Sequence, residues 1–327
     1  MIRLAAAMLA ITATTASAAE PCAESCADRW PARALTIVVP YGSGGAPDLA
    51  ARLVAGQLAS RLGQSVVVED HPGAGGMIGS AYAATAKPDG YTLLLGTIDT
   101  QAILGHFQGG AHRINPTTAF VPISLLGRAD DVIAASPQLA ITSFSSLLDA
   151  AHKGRAFTFA TPGVGTSFHI LGEYIRWRES ISLVHVPYRV ASTGYGDVMA
   201  GRVDLVISGV APVAPLLAAG KLVPLVTTGS KRSRDLPETP TLGELGFKDL
   251  VFANWFGLLA PAGTPQAVIT LLNQKIAQIN QVEEYRRRLE AALIEPLHSS
   301  PEEFGALIRA DYARFGGLIA RASINVN

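Results

Sequence analysis

The stretch "LTIVVPYGSGGAPDLAAR", Leu35 to Arg52, decides the fold class. It opens with a short β-branched run, Leu35 to Val39, of the kind a parallel sheet buries on both faces. A turn of Gly42, Ser43, Gly44 and Gly45 follows. A helix is expected from near Asp48, because Leu49, Leu53, Leu58 and Leu62 recur along one side. A strand that ends in glycines and opens a helix makes an anion cradle. Glycine lets a ligand approach the backbone, and the helix N-terminus presents N–H groups carrying about half a positive charge. The same residues also make a plain βα turn, and alone they do not choose between the two readings.

Working outward, "SVVVE" (65–69) and "YTLLLG" (91–96) read as further strands. "GAGGMIG" (73–79) has Ile78 where a dinucleotide fingerprint needs its last glycine, so it reads as a turn walling a cleft. The theme then recurs: strand "FTFAT" (157–161), turn "PGVGTS" (162–167), helix "FHILGEYI" (168–175). Thr166 and Ser167 there either donate hydroxyls to a ligand or cap the helix. "LVHVPY" (183–188), "VDLVIS" (203–208) and "LVPLVTT" (222–228) add strands. The C-terminal third reads as helical. Thr264 and Pro265 are expected as N-cap and first helical residue, and "VEEYRRRLEAALI" as an amphipathic helix. Ser300, Pro301, Glu302 and Glu303 spell a capping box. The alternation predicts an α/β protein with two parallel-sheet units, whose two cradles can face each other at the carboxyl ends of their strands.

Composition narrows the function. The chain has 327 residues, 26 basic against 26 acidic side chains, 49% hydrophobic and 16% charged residues. It is too apolar to be disordered and long enough for two domains. Zero net charge argues against nucleic acid, which needs a basic face to neutralise phosphates. Arg3, an apolar run from Leu4 to Ala13 and the small residues Ala16, Ser17 and Ala18 spell an export signal over residues 1–18. The run is shorter than the roughly 20 residues a membrane span needs, so a cleaved signal and a periplasmic location are expected. In that compartment Cys22 and Cys26 either form a disulfide or stay an unpaired, non-catalytic pair.

Catalytic patterns are scarce. There is no G-x-S-x-G elbow and no H-E-x-x-H. His169 and His185 are separated by the expected helix and read as satisfied core or surface residues. Asp48 reads as a helix-start cap, with a general base as the alternative. No metal or cofactor is expected.

Taken in order, the elements "WPARALTIVVPYGSGGAPDLAAR", "LGQSVVVEDHPGAGGMIG", "AKPDGYTLLLGT", "GVGTSFHILGEY", "VPYR", "DVMAGRVDLVIS", "AAGKLVPLVTTGSKRS", "LPETPTLGELGF" and "WFGLLAPAGTP" run from Trp30 to near Ile324. The chain thereby resembles the substrate-binding proteins of tripartite tricarboxylate transporters, the Bug family of bacterial periplasmic receptors. The resemblance implies a two-lobed, type II periplasmic-binding-protein ("Venus flytrap") fold, each lobe a mostly parallel sheet flanked by helices. One lobe would hold residues 30–128 and 255–327, the other 129–254. It further implies a monomer that captures a small carboxylate between the lobes through backbone N–H groups. Delivery to membrane permease subunits, or presentation to a sensor protein, would follow. Position by position, Tyr41, Gly44, Gly45 and Asp48 match the first cleft loop, Gly75 and Gly76 the loop after the second strand, and Thr97 the hydroxyl after the third. Gly163, Gly165, Thr166 and Ser167 match the opposing cradle. Tyr188, Asp197 and Ser208 fall at or near the cleft ends of later strands.

Two departures bear on the ligand. Asp99 stands where the family has small neutral residues, and Val190 replaces a glycine after "VPYR". Asp99 either faces the cleft, where it would repel a second ligand carboxylate and favour an amine, hydroxyl or heterocycle, or caps the next helix. A hydrolase or lyase using Asp48, Asp99 or His169 is the catalytic alternative to a receptor.

Overall fold

The strand opening the decisive stretch is buried along nearly its whole length, with Leu35, Ile37, Val38 and Val39 sealed from solvent. The computed structural model describes residues 30–107 and 114–325. The expected export signal and both cysteines lie outside the described residues. In chain order the elements are β1 (Leu35–Val39), α1 (Ala46–Leu62), β2 (Val66–Asp70), α2 (Met77–Ala84), β3 (Thr92–Thr97), α3 (Pro116–Ala119), β4 (Phe120–Ala129) and β5 (Asp131–Ala135). Then follow α4 (Phe144–His152), β6 (Phe157–Thr161), α5 (Ser167–Glu179), β7 (Leu183–Pro187), α6 (Ala191–Met199), β8 (Leu205–Gly209), α7 (Val210–Ala218) and β9 (Val223–Thr227). The chain closes with β10 (Asn254–Pro261), α8 (Gln266–Ile279), α9 (Glu283–Glu290), β11 (Glu295–Pro296) and α10 (Pro301–Ala322).

The strands form two sheets, ordered β11-β4-β10-β3-β1-β2 and β7-β6-β8-β5-β9. The α/β class holds, but the sheets are mixed rather than mostly parallel. β1 runs parallel to β2 and β3, and β6 to β7 and β8. β10 is antiparallel to both β3 and β4, and β5 to both β8 and β9. The physical reason is connectivity. Parallel neighbours need a helical crossover, as in β1–α1–β2. β5, in contrast, is reached straight from β4 across Asp130, and β10 returns to the first sheet after β9. Strands that pass directly between sheets carry no crossover helix to set them parallel.

Helix ends follow local chemistry. Ser300 accepts from Glu303 N while Glu303 accepts from Ser300 N, with Pro301 in the first turn, so the capping box of α10 is complete. Thr264 does not cap α8. Its hydroxyl donates to the Pro261 carbonyl at 2.8 Å, and Pro265 takes the cap position. α10 packs on β4 and on α5, touching layers that belong to both sheets. From Pro31 onward the described chain is accordingly one packed unit, with Val38, Phe159 and Phe315 in a single core cluster. No helix among the described residues is long and apolar enough to cross a membrane.

Candidate ligand-binding site

The first loop is folded by its own aspartate. Helix α1 begins at Ala46, two residues before the expected start, with Gly45 extended at the cap position and no side-chain cap. Gly44, at φ +92°, donates its N–H to Asp48 Oδ2 at 2.8 Å. The other carboxylate oxygen of Asp48 pairs with Arg52 Nε at 2.7 Å, and Arg52 also reaches Asp70. Asp48 is only 4% exposed. It is therefore committed to shaping the loop, which leaves no free carboxylate there for general-base work.

Behind this loop, Tyr41 and Thr97, the last residue of β3, share a hydrogen bond of 2.7 Å between hydroxyls. Thr97 also bonds Thr100. Gly75 and Gly76 both have positive φ and form the tight turn before α2. A Cβ on Gly76 would lie 2.7 Å from the Thr100 methyl and 3.4 Å from the Tyr41 ring, so glycine is what lets this turn close on the tyrosine. Burial, aided by the charge of Asp99, pushes the Tyr41 phenol well up.

Asp99 resolves the choice left open by the sequence in a third way. Its Oδ1 accepts the backbone N–H of Ser167 at 2.8 Å. It caps a helix, but the helix is α5, attached to the other sheet and 68 residues away, not the turn that follows it. The carboxyl is 8% exposed, and burial lifts it to about 6 against the opposing pull of the Ser167 bonds. Ser167 Oγ in turn bonds Asn254 Oδ1 at 3.1 Å, and Asn254 Nδ2 donates to both oxygens of Asp131 at 2.6 and 2.8 Å. Asp131 is fully buried. Its carboxyl is pushed well up by burial, against the Asn254 bond and with help from Asp99 and Asp130. One chain of polar contacts thus joins the end of β3, the start of α5, the start of β10 and the start of β5. Sequence reasoning missed Asp131 and Asn254. The available signal was a polar residue at the first position of each otherwise apolar strand.

The second cradle is closed by its own acceptors. Gly163 N donates to Thr161 Oγ1, Gly165 N to His169 Nδ1, and His169 N to Thr166 Oγ1, the N-cap of α5. His169 and His185 stack with ring centroids 4.3 Å apart, and His185 Nε2 lies 2.6 Å from Thr161 Oγ1. Burial lowers both imidazoles, His185 to about 4 with a further push from His169. His169 is the buried, satisfied histidine its sequence context implied.

The remaining candidates sit apart from this network. Tyr188, directly after β7, donates to Asp197 at 2.6 Å, and Asp197 also pairs with Arg202. Asp197 lies within α6 rather than at a strand end, so its carboxylate is held by those two partners. Ser208, in β8, bonds the Tyr195 hydroxyl at 2.8 Å. Among the described residues no group of three His, Cys, Asp or Glu is placed to hold a metal ion. The arrangement combines two helix N-termini, glycine loops, hydroxyls and the buried carboxyl groups of Asp48, Asp99 and Asp131.

The chain has relatives among known proteins. The family model described as tripartite tricarboxylate transporter family receptor matches residues 50–324. Protein BugT of Bordetella pertussis is 32% identical over 315 residues, 96% of this chain and 95% of BugT. A solved R. palustris protein with adipate superimposes with a TM-score of 0.82 at 31% identity, covering 90% of this chain and 99% of that one. MatC from Rhodopseudomonas palustris, with bound malate, gives 0.79 at 25% identity, covering 89% and 100%.

Proposed function

The chain belongs to the tripartite tricarboxylate transporter receptor family, and from that premise we propose that it is a periplasmic receptor for a small organic carboxylate. One lobe then holds residues 30–129 with 254–327 and the other 130–253, one residue away at each crossing from the expected 128/129 and 254/255 boundaries because Ala129 and Asn254 pair within the first sheet. This division is supported by the crossings of the chain between sheets at Asp130 and before Asn254. One observation carries the reading. The two halves bond each other through Asp99 and Ser167, the first residue of α5, and Tyr41, which leads into the glycine loop of α1, lies beside Asp99 and bonds Thr97. Helix N-termini supply positive potential without lysine or arginine, which suits a chain of zero net charge.

Tyr41, Gly44, Gly45, Gly75, Gly76 and Thr97 form one wall of the site, and Gly163, Gly165, Thr166 and Ser167 the other. Asp48 holds the first wall in shape. Tyr188 with Asp197, and the buried Ser208 with Tyr195, stand further along the second. The ligand binds the closed arrangement better than the open one and so shifts the population toward closure. It leaves chemically unchanged and passes to permease subunits of the tripartite tricarboxylate type. Residues 1–18 direct export and are removed, which N-terminal sequencing of the periplasmic protein reads directly.

The test is thermal unfolding of ligand-stripped protein against a panel of carboxylates, amines and sugars. A ligand at 100 times its dissociation constant stabilises by about 2.7 kcal/mol, which is readily seen. A shift given by some carboxylate, with no product formed on prolonged incubation, is the expected result. A shift confined to another ligand class, or turnover of the bound carboxylate, overturns the proposal.

A further inference from the structure

The two cradles differ in what already occupies them. At α1 the glycine loop is exposed, the helix has no side-chain cap, and the carboxylate that takes the Gly44 N–H, Asp48, is neutralised by its pairing with Arg52. At α5 the chain supplies its own acceptors for Gly163, Gly165, Ser167 and His169, and the one facing Ser167 is a carboxylate. That carboxylate comes from the opposite sheet and is more than nine-tenths buried. A second buried carboxylate, Asp131, stands two hydrogen bonds behind Ser167, through Asn254. His169, bonded to the Gly165 N–H, and His185, beside Thr161, are held toward their neutral forms by burial. The α5 end of the site therefore has its anion built in, beside two imidazoles held toward neutral.

We propose that Asp99 determines specificity: it takes the position in which α5 would receive the second acid group of a dicarboxylate, so the ligand of this chain is a monocarboxylate whose other end is neutral or cationic. The inference rests on the receptor reading and narrows its ligand class. The ligand's single carboxylate goes to the open α1 loop. Its other end lies toward Asp99, whose carboxylate accepts from an alcohol, an amide or an amine and repels a second carboxylate. This sets the chain apart from relatives solved with adipate and malate, both dicarboxylates.

The experiment compares chain-matched acids on ligand-stripped protein at pH 7.5 by calorimetry. At three to six carbons the dicarboxylate is set against the monocarboxylate and its ω-amino analogue, so that adipate is paired with hexanoate and 6-aminohexanoate. Wild type should bind the best monocarboxylate or amino acid at least about tenfold tighter than its matched dicarboxylate, equivalent to about 1.4 kcal/mol. Asp99→Asn, which keeps an oxygen for the Ser167 N–H, should reduce that preference about tenfold or more. Asp99→Ser serves as a second variant, with circular dichroism confirming the fold of both. A dicarboxylate preference in wild type, or an unchanged ratio in a folded variant, overturns the inference and leaves the receptor reading standing. Failure of every acid of both classes, with another ligand class binding instead, overturns the receptor reading itself.

Discussion

Replacing Asp99 with asparagine should stabilise the protein at neutral pH and not at acid pH. In the folded chain the carboxyl titrates at about 6, raised by burial, against an ordinary value of 3.8. Between those two values the folded state keeps a proton that the unfolded state has released. Stability from this group is thus greatest below pH 3.8 and falls as pH rises through about 6. The shift is about two units at about 1.4 kcal/mol each, an upper bound near 3 kcal/mol of cost at pH 7.5. Asparagine removes that cost and still accepts from Ser167 N, but it adds an N–H pair that needs partners. A net gain of about 1–2 kcal/mol remains. Relief of the repulsion on Asp131 acts in the same direction. Urea unfolding of both proteins at pH 4.5 and 7.5 measures the gap, and contributions of other groups largely cancel in the difference. A variant no more stable than wild type at pH 7.5, or a gap independent of pH, would refute the assignment of Asp99 as a buried, ionised cap.

Other perturbations test the surroundings. His185 titrates at about 4 when folded against 6.5 when free, so its stability is present above pH 6.5 and lost as pH falls toward 4; in a half-buried, solvent-screened site this amounts to about 1–2 kcal/mol. His185→Gln should accordingly flatten the loss of stability in urea melts between pH 6.5 and 4.5, and an unchanged slope would remove His185 as its source. Gly76→Ala places a Cβ at φ +102° and 2.7 Å from Thr100, and should lower the unfolding free energy by about 2–4 kcal/mol. Asn254→Ala strips Asp131 of its amide partner and should destabilise by about 2–4 kcal/mol in urea unfolding at pH 7.5. A loss below about 1 kcal/mol would mean that Asp131 does not depend on Asn254 in the folded protein.

What could be read from the sequence was local. The β1–turn–α1 and β6–turn–α5 units announced themselves, because β-branched runs, glycine turns and recurring apolar residues each span fewer than twenty positions. The α10 capping box was equally self-contained. β4 was not legible, since "FVPISLLGRA" mixes proline, serine and arginine into an apolar run and looks like neither a buried nor an alternating strand. β10 was visible as an apolar segment, but its antiparallel place between β3 and β4 depends on partners far off in sequence. The site divides in the same way. Glycines and the Thr166 cap follow from the turn they sit in. The Asp99–Ser167 bond and the Asn254–Asp131 pair exist only once both sheets have formed. His169 and His185, set apart by α5, meet because the parallel register of β6 and β7 places His185 beside Phe159 under the start of that helix.

The position of β10 also dictates an order of assembly. It is an interior strand of the first sheet, and Asn254 pairs with Ala129, so the entire second sheet is synthesised between strands that must meet. Loop closure over such a length costs only slowly growing entropy, yet the pairing is non-local and slow to find. The second sheet draws all its strands from one continuous segment, Asp131 to Thr227. It can therefore close first, while β3 and β4 wait as unjoined edges, open to pairing with other chains until Pro261 has emerged. In pulse-labelled hydrogen exchange during refolding, the amides of β8 should be protected before those of β10, and the opposite order would contradict this sequence of events. The strand that welds the finished protein together is thus the one that leaves its nascent form longest exposed.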